Sequence, residues 1–170
     1  GAAKRFDGIH NSSGVMQGKK RSLNEGGIRV PMVVRWPGKI KAGRVSSHPW
    51  YFPDVMPTFA EIGGVSTEVP KDIDGISILP TLLDEGEQKL HEYMFWHYGV
   101  RAVRSGKWKG IGKGGHLYLY DLSKDIEEKN DLSSKHPEIA ARMKKYITIG
   151  YREPRSQKDD GKYTGKGDKN

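Results

Sequence analysis

Residues 16–43 read MQGKKRSLNEGGIRVPMVVRWPGKIKAG, and how this stretch is read decides the fold. Its first part carries Lys19, Lys20 and Arg21, then Glu25 and the pair Gly26-Gly27, whose missing side chains let backbone approach backbone. The chain then drops into VPMVVRW, residues 30–36, a β-branched apolar run stopped by Pro37-Gly38. An uninterrupted run of this kind predicts a strand buried on both faces, as in the interior of a parallel sheet. A loop at the end of such a strand is where open α/β folds bind ligands, and a lysine there is a compact cation for an oxyanion. For Glu25 two readings stand side by side: it belongs to a ligand site, or it pairs with Arg29 or a lysine and anchors the loop.

Upstream, residues 1–24 are polar and without periodicity, which predicts a long loop. Downstream, Pro53 precedes a stripe of Val55, Met56, Phe59, Ala60 and Ile62 that ends at Gly63-Gly64, the pattern of a short amphipathic helix. Residues 65–75 form a polar connector, and 79–83 suit a helical turn. The period then changes. Segments 93–98, 101–105, 107–111 and 117–122 are aromatic or β-branched and are separated by Gly99, Ser105-Gly106 and the glycines of 112–115, which predicts an antiparallel meander. Pro137 opens a helix whose Ile139, Ala140, Met143, Tyr146 and Ile147 can cover one sheet face. From Arg152 on almost nothing is apolar, and a disordered tail is predicted. The strand at 30–36 finds no central-sheet partner in this chain, so the N-terminal part of a larger α/β sheet is expected to lie elsewhere.

Composition narrows the function classes. The chain has 170 residues, hydrophobic content of 35% and no cysteine, which excludes a disulfide framework, a thiolate zinc site and a cysteine nucleophile. The net charge of +8 is concentrated before residue 45, where ten Lys/Arg face two Asp/Glu. Such a block points to an anionic partner or to a solvated basic face. No apolar run approaches the ~18 residues of a membrane span. The run Gly110-Ile111-Gly112-Lys113-Gly114-Gly115 lacks the Ser or Thr that a phosphate loop needs after its lysine and reads as a hairpin loop. The six histidines, His10, His48, His91, His97, His116 and His136, show no metal-ligand spacing.

Residues 16–43 resemble the formylglycine-dependent, arylsulfatase-like sulfatases of the alkaline-phosphatase superfamily. The resemblance rests on Gly18, Lys20, Glu25, Gly26, Gly27, Arg29 and Pro31, followed by Trp36-Pro37-Gly38. Further matches keep the family's order: Asp54-Val55-Met56-Pro57-Thr58; Asp74-Gly75 with Ser77 and Pro80; the run AVRSGKWK at 102–109; and Leu119-Tyr120-Asp121-Leu122 with Glu127 and Asn130. It covers roughly residues 1–146. It implies an α/β class, the C-terminal fragment of an alkaline-phosphatase-like sulfatase fold, ending in a four-stranded antiparallel sheet with a packed C-terminal helix. The implied domains are 1–90, the end of the catalytic α/β domain; 91–150, the small antiparallel subdomain; and 151–170, the tail.

The resemblance also implies roles. Lys20 matches the lysine that contacts the sulfate group, Glu25 and Arg29 are structural, and His10, His97, Tyr98 and Arg101 are substrate-binding candidates at the pocket border. Gly1 matches the glycine after the family's Asp-Asn metal pair. The family's nucleophile comes from a C/S-x-P-S-R motif, and the nearest match here, Ser47-His48-Pro49-Trp50-Tyr51, lacks its Ser and Arg. The calcium-binding aspartates are missing too, so this chain alone is expected to be inactive and to hold no metal. The expected parent is a sulfuric ester hydrolase that uses calcium and acts on a sulfated sugar or glycosaminoglycan. The alternatives are a phosphonate or phosphate ester hydrolase of the superfamily, and a non-catalytic polyanion-binding module. No nucleic-acid motif is present, a second copy could cover residues 30–36 in a dimer, and periplasmic, secreted and lysosomal compartments all stay open.

Overall fold

The computed structural model describes residues 11–152, and they divide into two compact units. One joins the described residues up to Pro31 to those from Glu92 onward; the other is Met32–His91. The N-terminal loop thus belongs with the C-terminal sheet, and the units part after Pro31 and again between His91 and Glu92.

The first unit is built on the meander β1 (Met94–Tyr98), β2 (Val100–Ser105), β3 (Trp108–Lys113) and β4 (His116–Asp121), antiparallel throughout and in sequence order. Trp96 pairs with Ala102, Ala102 with Ile111, and Ile111 with Tyr118, which fixes the register and the two faces. Strand β3 runs to Lys113, two residues past the expected end at Ile111, and the glycines Gly110 and Gly112 are strand rather than hairpin loop. The turn itself is Gly114-Gly115, both at positive φ (60° and 79°), the conformation that tight two-residue hairpins demand.

Helix α4 (Pro137–Ile149) covers one face as expected. Its Ala140, Met143 and Tyr146 pack with Val103, Leu117 and Leu119. Each such apolar side chain removed from water contributes about 1.5–3 kcal/mol. A Cβ on Gly110 would lie 2.9 Å from the Met143 Cβ, so glycine sets how closely the helix can approach. Tyr93 stacks on Tyr146 at 4.6 Å, and the Tyr146 hydroxyl donates to Glu92 Oε1 at 3.0 Å.

The opposite face is also buried, which the sequence pattern did not announce. Leu23 from the N-terminal loop packs with Ala102, Ile111, Tyr120 and Leu122, with Ile28, Trp96 and Tyr98 around them. Directly after the expected 1–24 loop comes a one-turn helix, α1 (Glu25–Ile28).

In the second unit, α2 (Val55–Ile62) follows a 3₁₀ turn, Phe52–Asp54, and ends at Gly63, and α3 (Leu79–Leu83) is the expected single turn. The strand expected at 30–36 does not form. These residues pair with no described strand, Pro31 has no N–H to donate, and Val30, Met32, Val33 and Val34 are exposed, Val33 at 93%. An apolar run becomes a buried strand only where a neighbouring ladder receives its backbone groups.

Candidate functional site

The loop that carries Lys20 is a backbone knot closed by glycine. The Gly26 N–H donates to the Gln17 carbonyl at 2.7 Å, and a Cβ on Gly26 would stand 2.4 Å from the Gly18 carbonyl oxygen. A Cβ on Gly27 would stand 2.1 Å from the Ser22 carbonyl oxygen and 2.7 Å from that of Lys19. Both glycines are required by close approach, as the sequence implied.

Residues 19–22 form a turn closed by the Ser22 N–H donating to the Lys19 carbonyl at 2.8 Å. Lys20 occupies its exposed second position. Arg21 takes the third at φ +76°, a left-handed place normally filled by glycine or asparagine. Lys19 and Arg21 are both engaged by other groups, whereas among the described residues Lys20 has no hydrogen bond or ion pair. The free ammonium at the corner is therefore that of Lys20.

Beneath the turn lies a buried cluster of charges. Glu25 Oε1 accepts a hydrogen bond from Lys109 Nζ at 2.8 Å, and Lys109 Nζ is also 2.8 Å from Glu128 Oε1. Glu128 Oε2 in turn accepts the Glu25 N–H at 2.7 Å. The side chains of Lys109 and Glu128 are fully buried and that of Glu25 is 3% exposed. Arg29, half exposed, lies 3.6 Å from Glu25 Oε2. The structural reading of Glu25 and Arg29 is thus given a geometry, and the lysine that Glu25 pairs with is Lys109, 84 residues away, not Lys19 or Lys20.

Lys109 and Glu128 were not singled out in the sequence. The signal was parity: Lys109 alternates with Ile111 on an inward face of β3. Glu127, the family-matched neighbour of Glu128, lies in a surface pair with Lys129. Glu128 itself sits at φ +54°, a strained conformation for a non-glycine residue. The cluster perturbs its surroundings. Burial pushes the Arg104 guanidinium below its ordinary value, Glu25 opposes this, and Arg29 adds to it. Burial raises the Tyr120 phenol to about 12, with the Glu128 and Asp131 carboxylates adding, so Tyr120 stays neutral and cannot serve as a base near neutral pH.

The remaining candidates divide between the two sheet faces. His97 and Arg101 lie on the side of α4, where Arg101 sits 3.6 Å from the centre of the Tyr151 ring and His97 meets the same ring edge-on at 5.3 Å. Tyr98 lies on the other face, packed with the Leu23 cluster. His10 and Gly1 fall outside the described residues. One further grouping looks chemical and is not. Asp131 Oδ2 and Ser133 Oγ both approach the same nitrogen of His116, at 2.8 and 3.5 Å, so the imidazole cannot pass a proton between them as a triad does. No group of three or more His, Asp or Glu side chains that could hold a metal occurs among the described residues.

A family model for the C-terminal part of N-sulphoglucosamine sulphohydrolase matches residues 17–151. The chain belongs to this sulfatase family. It is 35% identical to human steryl-sulfatase over 162 residues, covering 74% of this chain and 28% of that protein. It is 29% identical to an N-acetylgalactosamine-6-O-sulfatase of Bacteroides thetaiotaomicron, covering 86% of this chain and 32% of that protein. A solved structure from work on glycosaminoglycan metabolism in Bacteroides thetaiotaomicron superposes with a TM-score of 0.67 at 28% identity, over 81% of this chain and 32% of its own. The chain therefore spans under a third of the length of these relatives.

Two of the sulfatase motifs acquire a physical meaning in the second unit. Asp54 is fully buried; its Oδ2 accepts the Tyr51 N–H at 2.9 Å, and its Oδ1 accepts the Ile76 N–H and meets His91 Nε2, both at 2.8 Å. The Thr58 hydroxyl donates to the Asp54 carbonyl and accepts the Ile78 N–H. Gly75 passes so close to the Pro53 carbonyl that a Cβ would lie 2.1 Å from it. In this sulfatase segment, then, Asp54, Thr58 and Gly75 tie the start of α2 to the chain at 74–78.

Proposed function

We propose that this chain is the C-terminal part of a sulfatase that hydrolyses a sulfate ester on a sulfated sugar, with Lys20 contacting the sulfate oxygens. The observation that carries this is the Lys20 ammonium, unpaired among the described residues at the corner of a loop held by Gly26, Gly27 and Glu25, at the motif position where sulfatases place their sulfate-contacting lysine. A fixed cation beside a reacting group acts where negative charge develops, because its orientation is settled before the reaction. The sugar class is supported by the N-acetylgalactosamine-6-O-sulfatase and by the glycosaminoglycan-linked structure above. In this reading the formylglycine nucleophile and calcium come from the rest of the parent, Glu25 and Arg29 shape the loop, and the chain alone does not turn over. His97 and Arg101 with Tyr151 remain a candidate pocket wall, and Tyr98, partly buried against the Leu23 cluster, a supporting residue.

The test compares Lys20→Ala with Lys19→Ala in the full-length protein, on a sulfated hexosamine and on a steryl sulfate. Lys20→Ala is expected to lower kcat by about 10²–10³, the usual effect of removing a preorganised charge, and Lys19→Ala to change it far less. Equal effects would sink the assignment of Lys20, and turnover of the steryl sulfate alone would sink the sugar.

A further inference from the structure

We infer that Lys109, clamped between Glu25 and Glu128, is a positioning residue for Lys20. The inference rests on the reading of Lys20 as the sulfate contact. Three observations and one general argument converge on it. The cluster joins the loop to the sheet by side chains from three separate places in the sequence: Glu25 in α1, Lys109 in β3 and Glu128 after β4. A second tie lies beside it, the Gln17 side-chain amide donating to the Glu128 carbonyl at 3.1 Å, so the loop is held both before and after the Lys20 turn. Glu128 keeps a left-handed backbone, which persists only where surrounding contacts over-determine it. Finally, a buried ion cluster is a poor way to gain stability, since apolar residues of the same volume serve as well or better, but a good way to fix one arrangement. Two carboxylates converging on one ammonium leave the loop a single seat on the sheet.

The mechanism needs no contact between Lys109 and ligand. Glu25 begins the helical turn whose Gly26 and Gly27 press on the carbonyls of 17–19 and 22, so wherever Lys109 holds Glu25, the 19–22 turn follows.

Two measurements test this. In the 170-residue chain, amide hydrogen exchange is followed at Gly26, whose N–H closes the loop, at Gly27 and Arg29, whose N–H groups close the α1 turn, and at Ala102, Val103 and Leu119 in the sheet, for Gln17→Ala, Glu128→Gln and Lys109→Met. Loop amides are expected to accelerate about 10-fold more than sheet amides, whose own acceleration reports the lost global stability. An unchanged loop, or loop and sheet loosening by one factor, overturns the inference; should Lys109→Met unfold the chain, the two milder variants decide it. In the full-length protein, Glu128→Gln is expected to lower kcat with KM nearly unchanged, and Lys20→Ala/Glu128→Gln to be no slower than Lys20→Ala. Multiplying effects would mean that Glu128 acts independently of Lys20 and would overturn it. If Lys20→Ala alone leaves kcat intact, the sulfate reading fails, and the exchange result still shows whether the clamp holds the turn.

Discussion

Lys109, whose side chain has no exposed surface, has a carboxylate oxygen of Glu25 and one of Glu128 each 2.8 Å from its Nζ, so its removal is costly. Lys109→Met fills a similar volume but leaves Glu25 and Glu128 buried without their cation. It is expected to destabilise the chain by about 3–5 kcal/mol, read from the urea midpoint, as breaking a buried pair from one side does. Glu128→Gln removes one of two charges facing one ammonium and is expected to lose only about 1–3 kcal/mol. Gly27 offers a test of opposite logic. Exchanging Gly for Ala in an unstrained open position usually stabilises slightly, but here the added methyl meets the Ser22 carbonyl oxygen, so Gly27→Ala is expected to lower the melting temperature and to shift the NMR signals of residues 19–22. The need for Gly26 and Gly27 was legible in the sequence, because close approach is a property of glycine itself. The partner of Glu25 was not, because an ion pair spanning 84 residues exists only once the sheet register is known.

The elements were the most legible level. The stripe at Val55–Ile62, the turn at Leu79–Leu83, the four strands and the helix at Pro137–Ile149 each follow from local period and punctuation. The failures share one cause: whether residues 30–36 become a strand, and what covers the second face of the meander, are decided by distant neighbours and not by local period. At the end of the sheet the electrostatics give a measurable slope. Burial works to raise the Asp121 carboxyl, but hydrogen bonds from Lys107 and Ser123 outweigh it and hold the group at about 2, below its ordinary value of 3.8. A carboxyl depressed in the folded state stabilises the fold while ionised, above about pH 4, and that contribution is lost as the pH falls toward 2. Asp121→Asn is expected to flatten the dependence of the denaturant midpoint between pH 5 and 2 by part of its size. A residual slope from Asp131, held at about 2 by the Leu119 N–H, His116 and Ser133 against burial, should remain.

For the whole molecule, the division into two units predicts uneven behaviour. Amides of β2, β3 and α4 are expected to be the most protected from exchange, and those of 32–35 to exchange near the free rate, since no strand receives them. Strong protection across 32–35 in a proven monomer would contradict this. The length of the buried cluster's reach also has a consequence for the order of events at the ribosome. Glu25 leaves the exit tunnel long before its partners: Lys109 follows 84 residues later and Glu128 103 residues later. At ~5–20 residues per second, several seconds pass in which the Lys20 loop exists without the groups that shape it. Of the cluster's three parts, the one translated first is among the last to take its final form, and a chain cut short before Glu128 would keep every residue of the loop and lack the seat that gives it its shape.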